Sequence, residues 1–390
     1  MAKKQSNKSS YVMIAILALL TVAAVVVAIA GCSKDNGDVP AISEETDPIV
    51  TEAQTTPETA PPETEPPETL PPETEPPPPP KFYSPLTGLE CSEEISKQRP
   101  IGIMINNIQQ ALPQEGIVYG DVIYECLAEG GITRLFMLIQ DYANVTKLGS
   151  VRSTRDYYLD FAQNHDALFF HAGGSEKAYG EIAARNIDNF DGVRMNIPNS
   201  FYRDPWRLNN MAYEHTLVIT GEGVRNAIAY RGKRTELKEG FESPFNFAEE
   251  PISLEGEAAS CVYLPFSYYQ SPYLKYDETT NTYKRWQYNA KHADINGTQL
   301  EFDNIIVLFC YHTGPLDNYG RIEVTTTGEG EGYYINGGKY INIKYTKTDV
   351  DSPVKLFNAD GTPLEMNTGK TYIAIFNSGN KAGINLNYNA

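Results

Sequence analysis

The 390-residue chain is short of cysteine (five), histidine (five) and tryptophan (two), and its 32 Lys and Arg are outnumbered by 50 Asp and Glu. Each shortage removes a class of function. No Cys-x-x-Cys pair occurs, so a zinc ribbon or a thioredoxin-type redox centre has nothing to be built from. His165, His171, His215, His292 and His312 lack the His-x-x-x-His spacing of a helical metal site. The chain therefore calls for no metal and no cofactor. The formal charge of −18 falls unevenly: residues 1–31 carry +3 and residues 33–80 carry −11, which leaves −10 on residues 81–390. Phosphate neutralisation by Lys and Arg supplies most nucleic-acid affinity, so an acidic body behind an acidic tract excludes nucleic acid as a partner.

One uncharged apolar run is present, over residues 11–30, and it leads into Gly31 and Cys32. Lys3, Lys4 and Lys8 precede it, so positive n-region, apolar run, small residues and cysteine follow in the order of a lipoprotein signal. The expectation is cleavage before Cys32, acylation of its thiol, and attachment to the lipid bilayer at the extracytoplasmic face of a bacterial cell membrane. The competing reading is an uncleaved transmembrane anchor, since about 20 apolar residues can span a bilayer. Both readings place the body on the same side.

Residues 32–80 read as a stalk. Pro-Pro-Glu-Thr recurs at Pro61, Pro66 and Pro71, and Pro76 to Pro80 closes the tract. Proline bias and like charge keep such a segment extended, with a reach of about 100 to 150 Å. A ligand tract for a proline-binding module is the alternative.

The remainder predicts an α+β protein in two parts. In residues 81–240, buried strands are expected over 99–107, 121–127, 132–140 and 167–171, with helices over 153–164 and 175–185. A further strand and helix are expected within 216–230. In residues 250–390 helices disappear, and strands are expected over 261–266, 273–276, 282–288, 304–311, 321–327, 339–345 and 372–377. Cys91, Cys126, Cys261 and Cys310 read as buried thiols, with disulfides the export-compatible alternative.

Candidate chemistry concentrates between Gly130 and Ser175. Arg134 follows a Gly130-Gly131 pair; Arg152 and Arg155, three residues apart, should share a helix face; His171-Ala172-Gly173-Gly174-Ser175 joins a strand to a helix. Cations are disfavoured at a helix N-terminus, so something anionic should answer them. Either Glu125, Glu129, Asp156 or Asp160 supplies an internal ionic network, or a phosphate or carboxylate ligand binds there. Ser175 is a nucleophile or an N-cap, and the missing Gly-x-Ser-x-Gly spacing favours the cap. His171 is a general base, a ligand or a satisfied strand-end histidine. His215 in Tyr213-Glu214-His215-Thr216, and His292 with Asp294, are further polar spots. Tyr283-Lys284-Arg285-Trp286 alternates along a strand and could line a groove or decorate a sheet.

These residues carry a resemblance. Arg99-Pro100, Asn106-Asn107, Glu129-Gly130-Gly131-Ile132-Thr133-Arg134, Val151-Arg152-Ser153 with Arg155, and His171 to Ser175 resemble the YerB-like lipoprotein family. In the C-terminal half the carriers include Tyr283-Lys284-Arg285, His292 with Asp294, Gly320-Arg321 and Gly369-Lys370-Thr371. The resemblance implies a mixed α/β architecture with layered sheets, paired domains of unknown function, and lipidation; it supplies no reaction. The chain departs from the family pattern at Glu214, where proline is expected, at Ile322 in place of arginine, and at Tyr345 in place of tryptophan.

The leading expectation is a lipoprotein that binds an anionic small molecule or envelope component in a cleft of Arg134, Arg152, Arg155 and His171. Gly173, Gly174, Ser175 and His215 lie beside it. Two others stand against it: an envelope hydrolase or transferase with His171 as base, and a protein-docking scaffold with an exposed aromatic patch.

Overall fold

The computed structural model describes residues 80–390; the expected signal, Cys32 and nearly all of the stalk lie outside the described residues. Eleven strands form the central sheet: β1 Ile101–Asn106, β2 Val122–Leu127, β3 Thr133–Ile139, β4 Leu168–His171, β5 Asn189–Asp191, β6 Glu257–Ala258, β7 Asn304–Cys310, β8 Gly328–Asn336, β9 Lys339–Lys347, β10 Lys355–Asn358 and β11 Thr371–Asn377. Their spatial order is β6-β9-β8-β7-β11-β2-β3-β1-β4-β5, with β10 paired to β9. The two sequence halves meet inside this sheet, because β11 lies parallel to both β7 and β2, with Thr371 opposite Val122 and Ile375 opposite Cys126.

The central strands read as unbroken apolar runs because both of their faces are covered. Side chains alternate between two cores, as a period of two requires. Ile101, Ile103, Ile105, Ile123, Leu135 and Met137 pack on one face, and Met104, Val122, Tyr124, Phe136 and Leu138 on the other. At Gly102 a Cβ would meet the Phe136 ring at 2.2 Å, so glycine lets that ring lie across β1. Helix α1, Asp156–Gln163, covers the second face with Tyr157, Tyr158 and Phe161. The first face is covered by the Gly221–Arg231 helix and by a smaller five-stranded sheet containing Cys261–Tyr263, Tyr273–Asp277 and Thr282–Gln287. The α+β class and β-rich C-terminal half thus match the sequence expectation.

Three elements differ from it. The helix expected from residue 153 begins at Asp156, because the carbonyls ahead of it are already engaged: Arg152 O accepts from Ala172 N–H at 2.9 Å and Thr154 O from Ser175 N–H at 3.3 Å. Arg152 and Arg155 therefore share no helix face. The strand expected at 321–327 contracts to Glu323–Val324, while the long strand is β8, whose Gly-Glu-Gly-Glu-Gly start reads as a turn in sequence. The described cysteines are free, with Cys126, Cys261 and Cys310 buried. Burial raises the thiol pKa of Cys261 and of Cys310 to about 11, which leaves them unreactive near neutral pH.

Candidate anion-binding site

The β2–β3 connection builds the site. Glu129, Gly130 and Gly131 form a tight turn in which Gly130 has φ +63° and Gly131 φ +77°, left-handed values that glycine adopts without strain. Ala128 N–H donates to Ile132 O across the turn at 2.8 Å. The fold-back points the Glu129 carboxylate at two guanidiniums. Arg134, on β3 opposite Asn106 and Cys126, donates through Nη2 to Glu129 Oε1. Arg155, the residue capping α1, places Nη2 2.6 Å from Glu129 Oε2, in ionic contact without hydrogen-bond angles at that oxygen.

Two positive groups thus share one carboxylate. Arg134 is 1% exposed, and its Nε and Nη1 are buried without a hydrogen-bond partner, as is Arg155 Nε. Burial disfavours the Glu129 charge, but the nearby Arg134 and Arg155 outweigh it and hold the carboxyl below its ordinary value of 4.5. Burial first, and repulsion from Arg134 second, push Arg155 below the ordinary guanidinium value, more than Glu129 restores. The cluster carries a net positive charge and three unused donors.

The other expected site residues serve their own neighbourhood. Arg152 pairs with Glu214 at 3.0 Å near the surface. The Glu214 that departs from the family pattern therefore supplies a counter-charge. His171 is fully buried, with Nδ1 2.9 Å from Gly173 O and Nε2 3.3 Å from Asn189 Oδ1. Both ring nitrogens are engaged by oxygens of the protein itself, and the buried ring offers neither to a substrate in this arrangement. Gly173 N–H donates to Asp191 Oδ1 at 2.9 Å, and Gly174 bridges Thr154, so the glycine turn is held by its own chain. Ser175 Oγ accepts from Ala178 N–H at 3.1 Å and caps the Glu176–Ala184 helix. His215 is buried, its Nδ1 3.0 Å from Asn106 Nδ2, and burial lowers its pKa. Of the four acids weighed as counter-charges, Glu129 answers the arginines, Asp156 pairs with Lys177, Asp160 with Arg185, and Glu125 with Arg285.

That last pair opens a network the sequence reading did not assemble. Glu125 and Arg285 are both 0% exposed and 2.6 Å apart. Glu125 Oε2 also accepts from Tyr372 Oη at 2.6 Å; Oε1 accepts from Thr133 Oγ1 at 2.7 Å and from Asn107 Nδ2 at 3.1 Å. Arg285 Nη1 reaches Gln287 Oε1 at 2.9 Å and contacts His292 Nδ1, whose Nε2 lies 2.9 Å from Gln114 Oε1. Burial, with Arg285 beside it, holds the His292 pKa well below 6.5. Its signal in sequence was a carboxylate within Val-Ile-Tyr-Glu-Cys-Leu, since a charge in a buried strand requires a partner.

The larger clefts lie elsewhere. One of about 750 Å³ is lined by Leu254, Tyr340, Asn342 and Asn358 among others, and one of about 710 Å³ by Lys97, Tyr142, Arg225 and Ile228 among others. Neither includes an expected site residue. Among the described residues no group of three or more His, Cys, Asp or Glu is placed to hold a metal ion, and no helix is long and apolar enough to cross a membrane.

Comparison with known proteins places this arrangement. Residues 86–234 match the N-terminal domain, and residues 262–373 the C-terminal domain, of a protein of unknown function (DUF3048). A Bacillus subtilis (strain 168) protein, YerB, whose name carries the word lipoprotein, is 26% identical over 300 residues, covering 76% of this chain and 86% of the relative. The crystal structure of the Bacillus subtilis YerB protein shares the fold, with a TM-score of 0.66 at 23% identity over 76% of this chain and 96% of that one. With both paired domains present in order, the chain belongs to the YerB-like family.

Proposed function

We propose that this chain is an extracytoplasmic lipoprotein, acylated at Cys32, whose body binds an anionic ligand or envelope component through Arg134 and Arg155. The observation that carries the reading is the surplus of buried donors: Arg134 Nε, Arg134 Nη1 and Arg155 Nε have no partner, and one carboxylate faces two guanidiniums. Leaving charged donors buried without a protein partner is costly, and an incoming phosphate or carboxylate relieves that cost by bidentate contacts. Entry requires the Glu129 side chain to swing aside from the two guanidiniums, and that carboxylate is 24% exposed. Arg152, His171, Gly173, Gly174, Ser175 and His215 act in this reading as the surrounding frame. The lipoprotein name of the YerB relative supports the anchor.

Thermal unfolding of the full chain in detergent, titrated with inorganic phosphate and with citrate, tests the site. The Tm of the native chain should rise with either anion, and Arg155→Gln should abolish the rise. A native chain that no anion stabilises, or an Arg155→Gln variant stabilised equally, overturns it. Intact mass of membrane-extracted protein tests the anchor: the chain should begin at an acylated Cys32, and an unmodified Met1 start refutes it.

A further inference from the structure

Two loops from the C-terminal half rest on the turn that carries Glu129. Ser267 Oγ donates to Gly131 O, and the Tyr269 ring lies 3.3 Å from where a Gly131 Cβ would sit. From the other loop Gly320 O accepts from Gly130 N–H at 3.4 Å. Both loops expose aromatic rings: Tyr268 is 95% exposed, Tyr269 65% and Tyr319 74%. Tyr268 and Tyr269 meet edge to face, with centroids 5.4 Å apart.

The loops that carry these rings are held in place. Ser267 Oγ accepts from the Tyr269 and Gln270 N–H groups at 3.0 and 3.1 Å, and Ser271 Oγ donates to Ser267 O. Gln270 is 1% exposed and reaches Gln287 Oε1 in the buried network at 3.1 Å. Tyr319 N–H donates to Asp317 Oδ1, and the Arg321 guanidinium lies 5.1 Å from the Tyr319 ring centroid. Fixing such loops before a ligand arrives reduces the ordering cost of binding.

Resting on the anion-binding reading above, we infer that the anionic group is carried by a glycan, whose sugar faces lie on Tyr268, Tyr269 and Tyr319 while its anion bridges Arg134 and Arg155. A pyranose has an apolar C–H face and a hydroxyl edge. Tyrosine matches it with an apolar face and a polar tip, at low entropic cost. An acidic peptide is the weaker fit, since peptide anchors fill pockets and these rings stand open. A body with −10 over residues 81–390 repels a dense polyanion, so a largely neutral chain with isolated anionic groups is the compatible class.

Calorimetric titration of the full chain in detergent decides it, with inorganic phosphate, cellobiose 6′-phosphate, cellobiouronic acid and the peptide Ala-Glu-Ala as probes. At least one charged disaccharide should bind about tenfold or more tighter than phosphate, and Tyr268→Ala with Tyr319→Ala should remove that gain while phosphate affinity is kept. Whether the phosphorylated or the carboxylated disaccharide gains more identifies the anion. If phosphate binds and neither disaccharide binds tighter, or the tyrosine variants change nothing, the glycan inference fails and the anion reading stands. If neither phosphate nor a charged disaccharide binds, both fail. Ala-Glu-Ala binding as tightly as the disaccharides, with the same tyrosine dependence, replaces the glycan with a peptide.

Discussion

The molecule holds two Arg–Glu clusters on neighbouring strands, and they are balanced differently. In the inner one a single arginine meets a single carboxylate that also accepts from Tyr372, Thr133 and Asn107. Burial opposes the Arg285 charge, yet Glu125, with Tyr372, outweighs it and raises the arginine pKa. Its leftover atoms, Arg285 Nε, Gln287 Nε2 and Asn107 Oδ1, include both donors and an acceptor. In the outer cluster two arginines share Glu129, three arginine donors are left over against the one acceptor Glu129 Oε2, and the Arg155 pKa is lowered. A charge-balanced network specifies a core, whereas one with a net positive charge leaves chemistry for something else to complete. Residue type does not separate the two; stoichiometry does.

The comparison breaks most visibly at its inner member. Glu125→Gln leaves Arg285 buried without a counter-charge and should lower stability by about 3–5 kcal/mol in urea unfolding, with no recovery on adding phosphate. Recovery there would put an anion site in the core and dissolve the contrast. Glu129→Gln should cost about 1–3 kcal/mol, since the turn is partly exposed and Arg155 can shift toward water. Phosphate at a hundred times its Kd should then restore about 2.7 kcal/mol. A Glu129→Gln chain that phosphate stabilises less than it stabilises the native chain would count against the displaceable carboxylate.

Acid sharpens the contrast further. The His292 pKa is depressed in the folded chain, so as pH falls below 6.5 the unfolded chain takes up the proton first and stability declines, by about 1.4 kcal/mol per pH unit at most, down to the folded value. The Glu129 pKa is also depressed, so its contribution is fully present above 4.5 and is lost only as pH falls below that, through the folded value. His165, His215 and His312 are depressed as well, so His292→Gln should make the decline below pH 6.5 shallower by its own share, and Glu129→Gln should change the profile only below about 4.5. Urea midpoints across that range distinguish the two windows; coincident windows would show the clusters acting as one. The smallest effect belongs to Ser175→Ala, which removes a helix cap and should cost about 1 kcal/mol without altering phosphate affinity. A loss of affinity instead would place Ser175 in the ligand site.

The extended apolar strands, the cap at Ser175 and the β-rich second half were legible because strand and helix periods and capping chemistry are local. The aromatic patch weighed for the scaffold reading exists in part, at Tyr268, Tyr269 and Tyr319. The start of α1 was misread because the Arg152 and Thr154 carbonyls are taken by Ala172 and Ser175, partners that only the tertiary fold supplies. The candidate site was legible in part: the sequence pointed to Arg134 and Arg155 with Glu129 among their possible partners, and also enrolled Arg152 and His171, which the fold gives to Glu214 and to the Gly173 turn.

By itself the sequence determined the charge budget of the body, the pairing of an apolar run with Cys32, the Pro-rich tract, and which segments bury an apolar face, because each follows from composition or short-range period. Tertiary structure alone decided which carboxylate meets which arginine. Glu125 and Arg285 are 160 residues apart and Glu125 and Tyr372 are 247, yet β11 lies beside β2 and the smaller sheet packs over both. Coulomb pairing is set by distance in space, and distance across a sheet leaves no mark in the local pattern of a chain.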